Sequence, residues 1–338
     1  MVELNGKKIL VTFLMHLGDL TLTTPFIHAL RKAAPDAHIT MLVDEKLKDV
    51  VLFNPYLDEV VTIDKKGRDN SILSLWACSR HLSKLDFDVL INLHPNERCS
   101  FIDAMTSVKL RTGTTHKIFK WFWDVFTPLD RSMHAADMYL DVLQQLGVQD
   151  LSNNGLEIFP GEEHFLEAEL FWQEQNITDQ DKLIGFNIGS AVPTKRWPPE
   201  RFAEVADIFA AKGYKTVFFG GPMDEEMVAE ATGYMQTRPI IATGHFAIGG
   251  LAAAMRRCCL IITNDSGPMH VAISQKVPIV AMYGPSNPKL YGPYTKDAVI
   301  VTAQPPCQGC ADGMKHSCDD LQCMSRMTVE QVVAAAEK

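Results

Sequence analysis

The sequence predicts an α/β fold built from two Rossmann-like domains with parallel sheets facing an interdomain cleft. Apolar strand-like runs alternate with helical stretches along the 338 residues, which is the pattern of a parallel sheet covered by helices. The chain is long enough for two domains, and the alternation occurs twice over similar lengths. We therefore place one domain at residues 1–160 and a second at 161–338, and expect the last helix, about 327–338, to pack back on the first domain.

In the first domain, apolar runs bounded by turn residues predict strands, and periodic stretches that end near Pro or Gly predict helices. The strands are expected at 9–14, 38–43, 59–63 and 87–93, and the helices at 20–33, 72–85 and 133–146. A polar segment from residue 150 marks the join, with a short strand at 156–159. A helix rich in Glu and aromatic residues follows it.

The second domain repeats the alternation. Strands are expected at 183–188, 215–219, 240–242, 260–263 and 279–283, and helices at 199–212, 224–235 and 248–257. Ligands of open parallel sheets bind outside the carboxyl ends of the strands. The loops that follow these strands, and the cleft between the two domains, are therefore the first places to look for a site.

The composition is that of a globular protein, with 46% apolar and 22% charged residues. A net charge of −9 argues against a general nucleic-acid binder, which needs a basic face, so we expect no nucleic-acid partner. The first eight residues lead into a strand-like run rather than an apolar signal-peptide core, and no apolar stretch reaches the roughly 20 residues of a spanning helix. The expected compartment is the cytoplasm.

The most informative motif is TNDSGPMH at 263–270, between two apolar runs. Pro268 suits the first turn of a helix, while Ser266 suits its cap and Gly267 a close backbone approach. The free N–H groups of such a helix start bind anions. Asp265 beside them is placed to bind hydroxyls of the molecule that carries the anion. This combination is typical of a nucleotide-sugar site.

Two further strand-end loops of the second domain carry polar candidates. In GSAVPTKRWP at 189–198, Gly189 and Ser190 offer donors to a phosphate and Lys195 offers a point charge, although a solvated surface loop is the alternative. In FGGPMDEE at 219–226, the acids would bind ribose hydroxyls or only stabilise a helix's first turn. His270, one turn into its helix, is either a packed residue or a phosphate contact.

The loop after the first strand reads MHLGDL at 15–20. Its single glycine, Gly18, lacks the three-glycine dinucleotide fingerprint, which disfavours a nicotinamide enzyme. Asp19 is either a helix N-cap or a general base at the mouth of a cleft. His16 is a weaker candidate in the same loop.

Four of these motifs follow one another along the chain: LGD at 17–19, TKRWP at 194–198, GGPMD at 220–224 and NDSGPMH at 264–270. In this order, over nearly the whole chain, they resemble glycosyltransferase family 9, the bacterial heptosyltransferases of lipopolysaccharide core assembly. The resemblance implies a GT-B fold with an N-terminal acceptor-side domain and a C-terminal donor-binding domain.

The resemblance also implies roles for the motif residues. Asp19 would be the general base for an acceptor hydroxyl, with His16 and Gly18 on the acceptor side, and Lys195 would act on the donor diphosphate. The donor-binding set would be Gly189, Ser190, Thr194, Asp224, Asp265, Ser266, Gly267, Pro268 and His270. Asp265 would contact the transferred sugar, and which acid binds the ribose stays open. We expect no active-site metal and no required cofactor, because GT-B enzymes usually stabilise the leaving diphosphate with helix dipoles and cations.

The predicted reaction is inverting transfer of a sugar, by resemblance heptose from ADP-heptose, to a lipid-anchored saccharide such as the lipopolysaccharide inner core. Two alternatives stay open: a nucleotide-sugar 2-epimerase of the same architecture, and a nucleotide-sugar-binding protein without turnover. Residues 119–123, rich in aromatics and close to Lys117, would contact the bilayer or the acceptor lipid, or else be buried under a loop. The first reading predicts a peripheral position on the inner membrane face.

The eight cysteines form two groups. Four lie scattered in apolar segments and are interpreted as small buried hydrophobes: Cys78, Cys99, Cys258 and Cys259. Four cluster before the last helix: Cys307, Cys310, Cys318 and Cys323. Close thiols suit a structural zinc or iron–sulfur site, with His316 as an additional ligand, but the spacing is not that of a zinc ribbon. Free thiols or reversible disulfides, and a catalytic role, are the alternatives.

Overall fold

The computed structural model describes residues 2–305, 307, 310, 318 and 320–338. The chain divides into two compact units, the first ending at Phe159 and the second beginning at Pro160. No helix within these described ranges is long and apolar enough to cross a bilayer. The candidate ligand His316 lies outside them.

The first unit is a parallel sheet with helices. Its strands are β1 Lys8–Thr12, β2 His38–Asp44, β3 Glu59–Ile63, β4 Val89–Asn92, β5 Leu110–Gly113 and β6 Val125–Phe126. Its helices are α1 Leu17–Thr21, α2 Thr24–Ala33, α3 Ile72–Ser83, α4 Glu97–Met105 and α5 Ala135–Gln145, with 3₁₀ turns at Glu45–Val50 and Lys117–Phe122. The strand order is β3-β2-β1-β4-β5-β6. β2 and β3 therefore extend the sheet on one side of β1, and β4, β5 and β6 extend it on the other. The direction changes between β1 and β4, so a ligand is expected to bind at the carboxyl ends of these two strands.

The helix expected at 20–33 is two helices, α1 and α2. Pro25 in the first turn of α2 has no N–H for the preceding turn, so it begins a new helix rather than continuing α1. The Thr24 hydroxyl donates to the carbonyl of Thr21 at this break (2.8 Å). The expected strand at 156–159 is irregular chain. Instead Glu157 is held beside α2 by its contact with His28 (2.9 Å).

The second unit contains the other sheet. Its strands are β7 Leu183–Asn187, β8 Lys215–Phe219, β9 Ile240–Ile241, β10 Cys258–Asn264, β11 Ile279–Met282 and β12 Ala298–Val301, in the order β12-β11-β10-β7-β8-β9 with all pairs parallel. Its helices are α6 Glu162–Glu174, α7 Pro199–Ala211, α8 Glu225–Tyr234, α9 Ile248–Met255, α10 Gly267–Ser274, α11 Pro288–Tyr291, α12 Gln322–Ser325 and α13 Val329–Ala336, with 3₁₀ turns at Pro193–Lys195 and Pro222–Asp224. β8 and β9 extend the sheet on one side of β7, and β10, β11 and β12 extend it on the other, so the topological switch point lies between β7 and β10.

The last helix belongs to the second unit, which corrects the expectation that it packs on the first. Val329, Val332 and Ala335 of α13 are buried in the apolar core of the second unit, and the helix packs against α7, β11 and β12. Its apolar residues recur at i, i+3 and i+6, so one face is buried.

Candidate functional site

The ends of β7 and β10 are joined by side-chain hydrogen bonds. The Asn187 amide donates to the hydroxyls of Thr263 (3.0 Å) and Ser266 (2.8 Å). Asn187 is the last residue of β7, and Ser266 is the N-cap of α10. The loop after each strand therefore starts from a fixed position, as a preorganised binding site requires.

Asp265 is the centre of this cluster. Lys195 lies with its Nζ atom 2.7 Å from Asp265 Oδ2, and the Ser286 hydroxyl donates to the same oxygen. The side chains of Lys195 and Asp265 are only 17% and 6% exposed. The charge of Lys195 is therefore held at a defined point by a partner that water screens poorly. Ser286 was not identified from the sequence.

Tyr283 is a further neighbour of Asp265. Burial, with the Asp265 carboxylate next in importance, raises the pKa of this phenol. Its hydroxyl donates to the carbonyl of Tyr291 (2.8 Å) at the end of α11. The loop from β11 to α11, which carries Ser286, is thus fastened at both ends.

The loop after β7 curls around Ser190. The guanidinium of Arg196 donates twice to the carbonyl of Ser190, from Nε (2.9 Å) and Nη2 (2.7 Å). The Ser190 hydroxyl donates to the backbone carbonyl of Asp265 (3.4 Å). The structure thereby brings together Ser190, Lys195, Asp265 and Ser266, all expected at the donor site.

Gly189 and Asp224 are in close contact. A Cβ atom at Gly189 would lie 2.1 Å from Asp224 Oδ1, so only glycine fits there. Asp224 is buried, and its other oxygen accepts a hydrogen bond from the backbone N–H of Gly221 (2.9 Å). The first-turn role expected for this acid is therefore present, and the carboxylate also packs on Gly189 in the loop after β7. Whether it or a following glutamate binds ribose stays a prediction.

The helix expected after the TNDSGPMH motif is present as α10. Ser266 has extended backbone angles at the N-cap, Gly267 and Pro268 form the first turn, and His270 is buried one turn in. The first backbone N–H groups of a helix carry partial positive charge. This end of α10 directly follows Asp265 and is a suitable anion site.

The loop after β1 in the first unit is held differently. The Lys65 ammonium donates to the carbonyls of Leu14 (3.2 Å) and Met15 (2.9 Å) and pairs with Asp44 (3.1 Å). His16 is the N-cap of α1 and is exposed. The alternative that Asp19 is the cap is therefore wrong. Asp19 lies half-buried in the first turn, next to Gly18.

A buried acid that the sequence did not reveal lies below this loop. Asp103 is fully buried in α4 and accepts hydrogen bonds from the Thr12 hydroxyl (2.9 Å) and the Asn92 amide, at the ends of β1 and β4. Burial raises the pKa of Asp103 to about 7. The carboxyl therefore links the two strand ends of the first unit's crevice.

His94 follows β4 at the same edge. Burial, then the charges of Arg131 and His16, lower its pKa to about 4, so the imidazole is neutral at pH 7. Its backbone N–H donates to Asn92 Oδ1 (2.7 Å). His94 could have been identified from the sequence, because it lies two residues beyond a strand-like run. Since β4 is the neighbour of β1 in the sheet, the loops after these two strands lie at the same edge.

The four clustered cysteines line one small cavity of about 10 Å³ in the second unit, together with Thr194, Pro285, Asp320 and Leu321. All four are free thiols in this structure. Among the described residues, no group of three or more His, Cys, Asp or Glu side chains is arranged to hold a metal ion. Of the scattered cysteines, Cys99 and Cys258 are buried as expected, Cys78 is partly buried and Cys259 is exposed.

Comparison with known proteins is consistent with this geometry. The sequence model of glycosyltransferase family 9 (heptosyltransferase) matches residues 75–318. The chain is 24% identical to lipopolysaccharide heptosyltransferase 3 of Escherichia coli K12, over 95% of this chain and 94% of that protein.

Two solved structures are similar over almost the whole chain. A glycosyltransferase family 9 protein from Veillonella parvula is 53% identical, with a TM-score of 0.93 over 99% of this chain and 98% of that one. The Escherichia coli ADP-heptose lps heptosyltransferase II is 22% identical, with a TM-score of 0.79 over 98% of this chain and 97% of that one. These matches confirm the predicted α/β GT-B fold.

Proposed function

This chain belongs to glycosyltransferase family 9 and is a glycosyltransferase, and on that premise we propose that it transfers heptose from ADP-heptose to a lipid-anchored saccharide with inversion. The names of its relatives point to this donor and to a lipopolysaccharide acceptor. The observation that carries the proposal is the pair of the partly buried Lys195 with the buried Asp265 at the start of α10. It is a fixed cation beside a helix N-terminus, and both favour a leaving diphosphate.

The donor would be bound by the second unit. The diphosphate would lie against Lys195 and the first N–H groups of α10, with the Ser190 hydroxyl as a further donor. Negative charge that builds up on the departing diphosphate would be stabilised by these groups. Asp265, which fixes Lys195 in the free protein, would turn one oxygen to a hydroxyl of the sugar.

The acceptor would be activated by the first unit. The carboxylate of Asp19 would accept the proton of an acceptor hydroxyl while that oxygen attacks the anomeric carbon. The bond from this carbon to the diphosphate oxygen breaks at the same time, ADP leaves with the electron pair, and the configuration inverts. His16 and Gly18 would line the acceptor side. A half-buried carboxylate suits this role, since it is accessible and still oriented.

The test compares wild type with Asp19→Asn, using ADP-heptose and a core lipid that lacks heptose. Wild type should produce the heptosylated lipid and ADP, whereas the variant should be slower by about 10²- to 10⁴-fold, the usual contribution of a general base. Its Kd for ADP should stay unchanged. Asp36→Asn, which changes an exposed turn residue of the same unit, is the matched control.

Other outcomes would support the alternatives. Equal transfer by both proteins would refute Asp19 as the base. Isomerised sugar nucleotide in the absence of acceptor would indicate a 2-epimerase. Tight ADP-heptose binding without transfer, hydrolysis or isomerisation would indicate a binding protein.

We also propose a peripheral contact with the inner membrane face, in a cytoplasmic enzyme, through α3 and the 3₁₀ turn at Lys117–Phe122. Leu73 is 77% exposed and Trp121 is 95% exposed, while Trp123 is buried and donates to the carbonyl of Thr112 (3.0 Å). Trp121 thus agrees with an exposed aromatic segment, whereas Trp123 agrees with the alternative of burial. Helix α4 packs against both exposed elements.

Charge supports an anionic bilayer as the occupant of this surface. Residues 66–84 contain four Lys or Arg and one Asp, and residues 112–123 contain two Lys and no acid, in a chain of net charge −9. Basic residues around exposed aromatics are typical of interfacial binding. Leu73→Ser/Trp121→Ser should reduce flotation with phosphatidylglycerol vesicles by roughly tenfold, an effect of at least one buried apolar side chain. Leu166→Ser on α6, also exposed, is the control.

Binding that is equal for phosphatidylcholine vesicles, or unaffected by the double substitution, would contradict the membrane contact. High salt should weaken binding by wild type, because the basic residues lie within a Debye length of the surface. A salt-independent interaction would leave no role for the charges.

We further propose that Cys307, Cys310, Cys318 and Cys323 hold one structural ion. The cavity that they line has the volume of about one water-sized sphere, and four thiols are a donor set that Zn²⁺ and Fe²⁺ accept. The sulfurs are not arranged as a coordination sphere in this structure. Binding would draw them to about 2.3 Å from the ion.

A further inference from the structure

The cysteine cavity shares two walls with the donor site. Besides the thiols, it is lined by Thr194 and Pro285. Thr194 directly precedes Lys195, and Pro285 directly precedes Ser286. These following residues, Lys195 and Ser286, both contact the Asp265 carboxylate. A change of the cavity's shape therefore acts on two partners of this carboxylate.

A second connection runs through Trp197. Its buried indole N–H donates to the carbonyl of Met327 (3.1 Å), and its backbone N–H donates to Asn264 Oδ1 (3.0 Å). Arg201 donates to the carbonyls of Ser325 (2.6 Å) and Met327. The segment after Cys323 is thus hydrogen-bonded to the loop that carries Lys195 and, through Trp197, to the residue before Asp265.

Close packing links helix α12, which carries Cys323, to the residues that follow β11. A Cβ atom at Gly284 would lie 2.3 Å from Met324 Sδ and 3.1 Å from Cys323 Sγ. Both Cys323 and Met324 are buried in the core of the unit. Because such interiors have few voids and transmit strain, movement of Cys323 is passed to Gly284 and the Ser286 loop.

We infer that the ion held by the four cysteines braces the donor site, so that nucleotide affinity depends on its presence; this rests on the structural ion proposed above. With the ion bound, the fixed sulfur positions fix the loop behind Thr194 and Pro285, and Lys195 and Ser286 keep their places around Asp265. Without the ion, the positions of Lys195 and Ser286 are less restricted. The free energy of donor binding must then include the cost of ordering these two side chains.

The experiment measures metal content and ADP affinity on the same samples. Zinc and iron are determined in the purified full-length protein by mass spectrometry, and the Kd for ADP by calorimetry, before chelation, after chelation and after Zn²⁺ is returned. We expect about one ion per chain. Removal should weaken ADP by roughly tenfold, comparable to the loss of one hydrogen bond to a charged group, and Zn²⁺ should restore it.

Substitutions locate the effect. Cys310→Ser should lower both the metal content and ADP affinity, whereas Cys259→Ser, at an exposed cysteine on β10 outside the cavity lining, should change neither. Circular dichroism would report whether Cys310→Ser folds. If it does not, the reversible chelation of wild type still decides the question.

The outcomes separate the proposals. Metal loss with an unchanged Kd for ADP would overturn the brace and leave the ion as a local structural element. Purified protein without metal that also takes up no Zn²⁺ would overturn both. Neither result changes the assignment of glycosyl transfer, which the Asp19→Asn assay tests independently. Equal weakening in Cys259→Ser would show a general thiol effect and would also overturn the brace.

Discussion

The two units carry their candidate residues at the same kind of sheet edge but hold them differently. In the loops after β7, β10 and β11, Lys195, Asp265 and Ser286 form a cluster in which each polar group has a partner, with Asp265 and Ser286 buried. At the ends of β1 and β4, Asp19 is half-buried and His16 is exposed, above the buried Asp103. One edge holds its candidate carboxylate almost fully buried, while the other holds its candidate carboxylate half-buried.

This difference follows from the proposed chemistry of each half. A leaving diphosphate is stabilised by charges that do not reorganise during the reaction, so the cation is fixed by hydrogen bonds and burial. A base must approach a hydroxyl of a bulky acceptor and then release a proton, so it has to remain accessible.

The largest effect is expected for Lys195→Met. Loss of the fixed cation should lower kcat/KM for ADP-heptose by about 10²- to 10³-fold, as when one electrostatic stabiliser is removed. The measurement is steady-state transfer at varied donor concentration, and Lys182→Met at an exposed lysine of the same unit is the control. A loss below about fivefold would show that the helix N-terminus alone suffices and would break the contrast between the units.

The next effect concerns stability. Removal of Lys195 leaves the Asp265 carboxylate, 6% exposed, without its cation. Chemical denaturation of Lys195→Met should show a loss of about 2–4 kcal/mol, below the full value for a buried pair because Lys195 is partly exposed. Lys195→Met/Asp265→Asn should recover part of this loss. Simple additivity of the two single substitutions would mean that the pair is not coupled.

A smaller effect is expected where the loop after β7 contacts the 3₁₀ turn at Pro222–Asp224. Gly189→Ala would place a methyl group 2.1 Å from Asp224 Oδ1 and should cost about 1–3 kcal/mol. Gly233→Ala is a matched control, since its Cβ would meet nothing within 4 Å. Gly189→Ala/Asp224→Ala should be less destabilised than the sum of its parts. If Gly189→Ala unfolds like wild type, the close packing of this loop is wrong.

The smallest effect is a pH dependence in the first unit. The pKa of Asp103 is raised to about 7 from its usual 3.8, so the protonated form stabilises the fold fully below pH 3.8, and this contribution is lost as the pH rises through 7. Asp103→Asn cannot ionise. Its melting temperature relative to wild type should therefore rise between pH 5 and pH 8 by roughly a few degrees.

Asp150→Asn provides a control of opposite sign for the same calorimetric series. The pKa of Asp150 is lowered to about 2, first by its hydrogen bonds with Ser152. Its ionised form stabilises the fold above pH 3.8 and is lost as the pH falls through 2. This substitution should therefore give no relative gain from pH 5 to 8. A flat profile for Asp103→Asn would show that this buried carboxyl does not titrate near neutrality.

Much of the fold and part of the site followed from local patterns. The alternation of apolar runs and helical periods predicted parallel sheets, and Ser266, Gly267 and Pro268 predicted the start of α10. The strand-end positions of Asp19 and Lys195 followed from the same alternation. These features depend on residues close in sequence, whose preferences are nearly independent of the rest of the chain.

Other features were missed because their partners lie far apart in sequence. Ser286 contacts a carboxylate 21 residues earlier, and Thr12 contacts Asp103 across 91 residues. Which sheet covers α13 also depends on the order of the strands, and the hydrophobic periodicity of a helix carries no information on strand order. A single helix was expected where Pro25 begins a second one, since the apolar period continued through the break.

The chemical groups at the strand ends could be read from the sequence alone: an acid after β1, a lysine after β7, and an acid and a helix start after β10. The folded chain was needed to show that Lys195 and Ser286 both contact Asp265, that Asp103 joins two strand ends, and that four cysteines line one cavity with Thr194 and Pro285. The physical reason is that backbone preferences are local, whereas charge pairing and close packing depend on strand order and register.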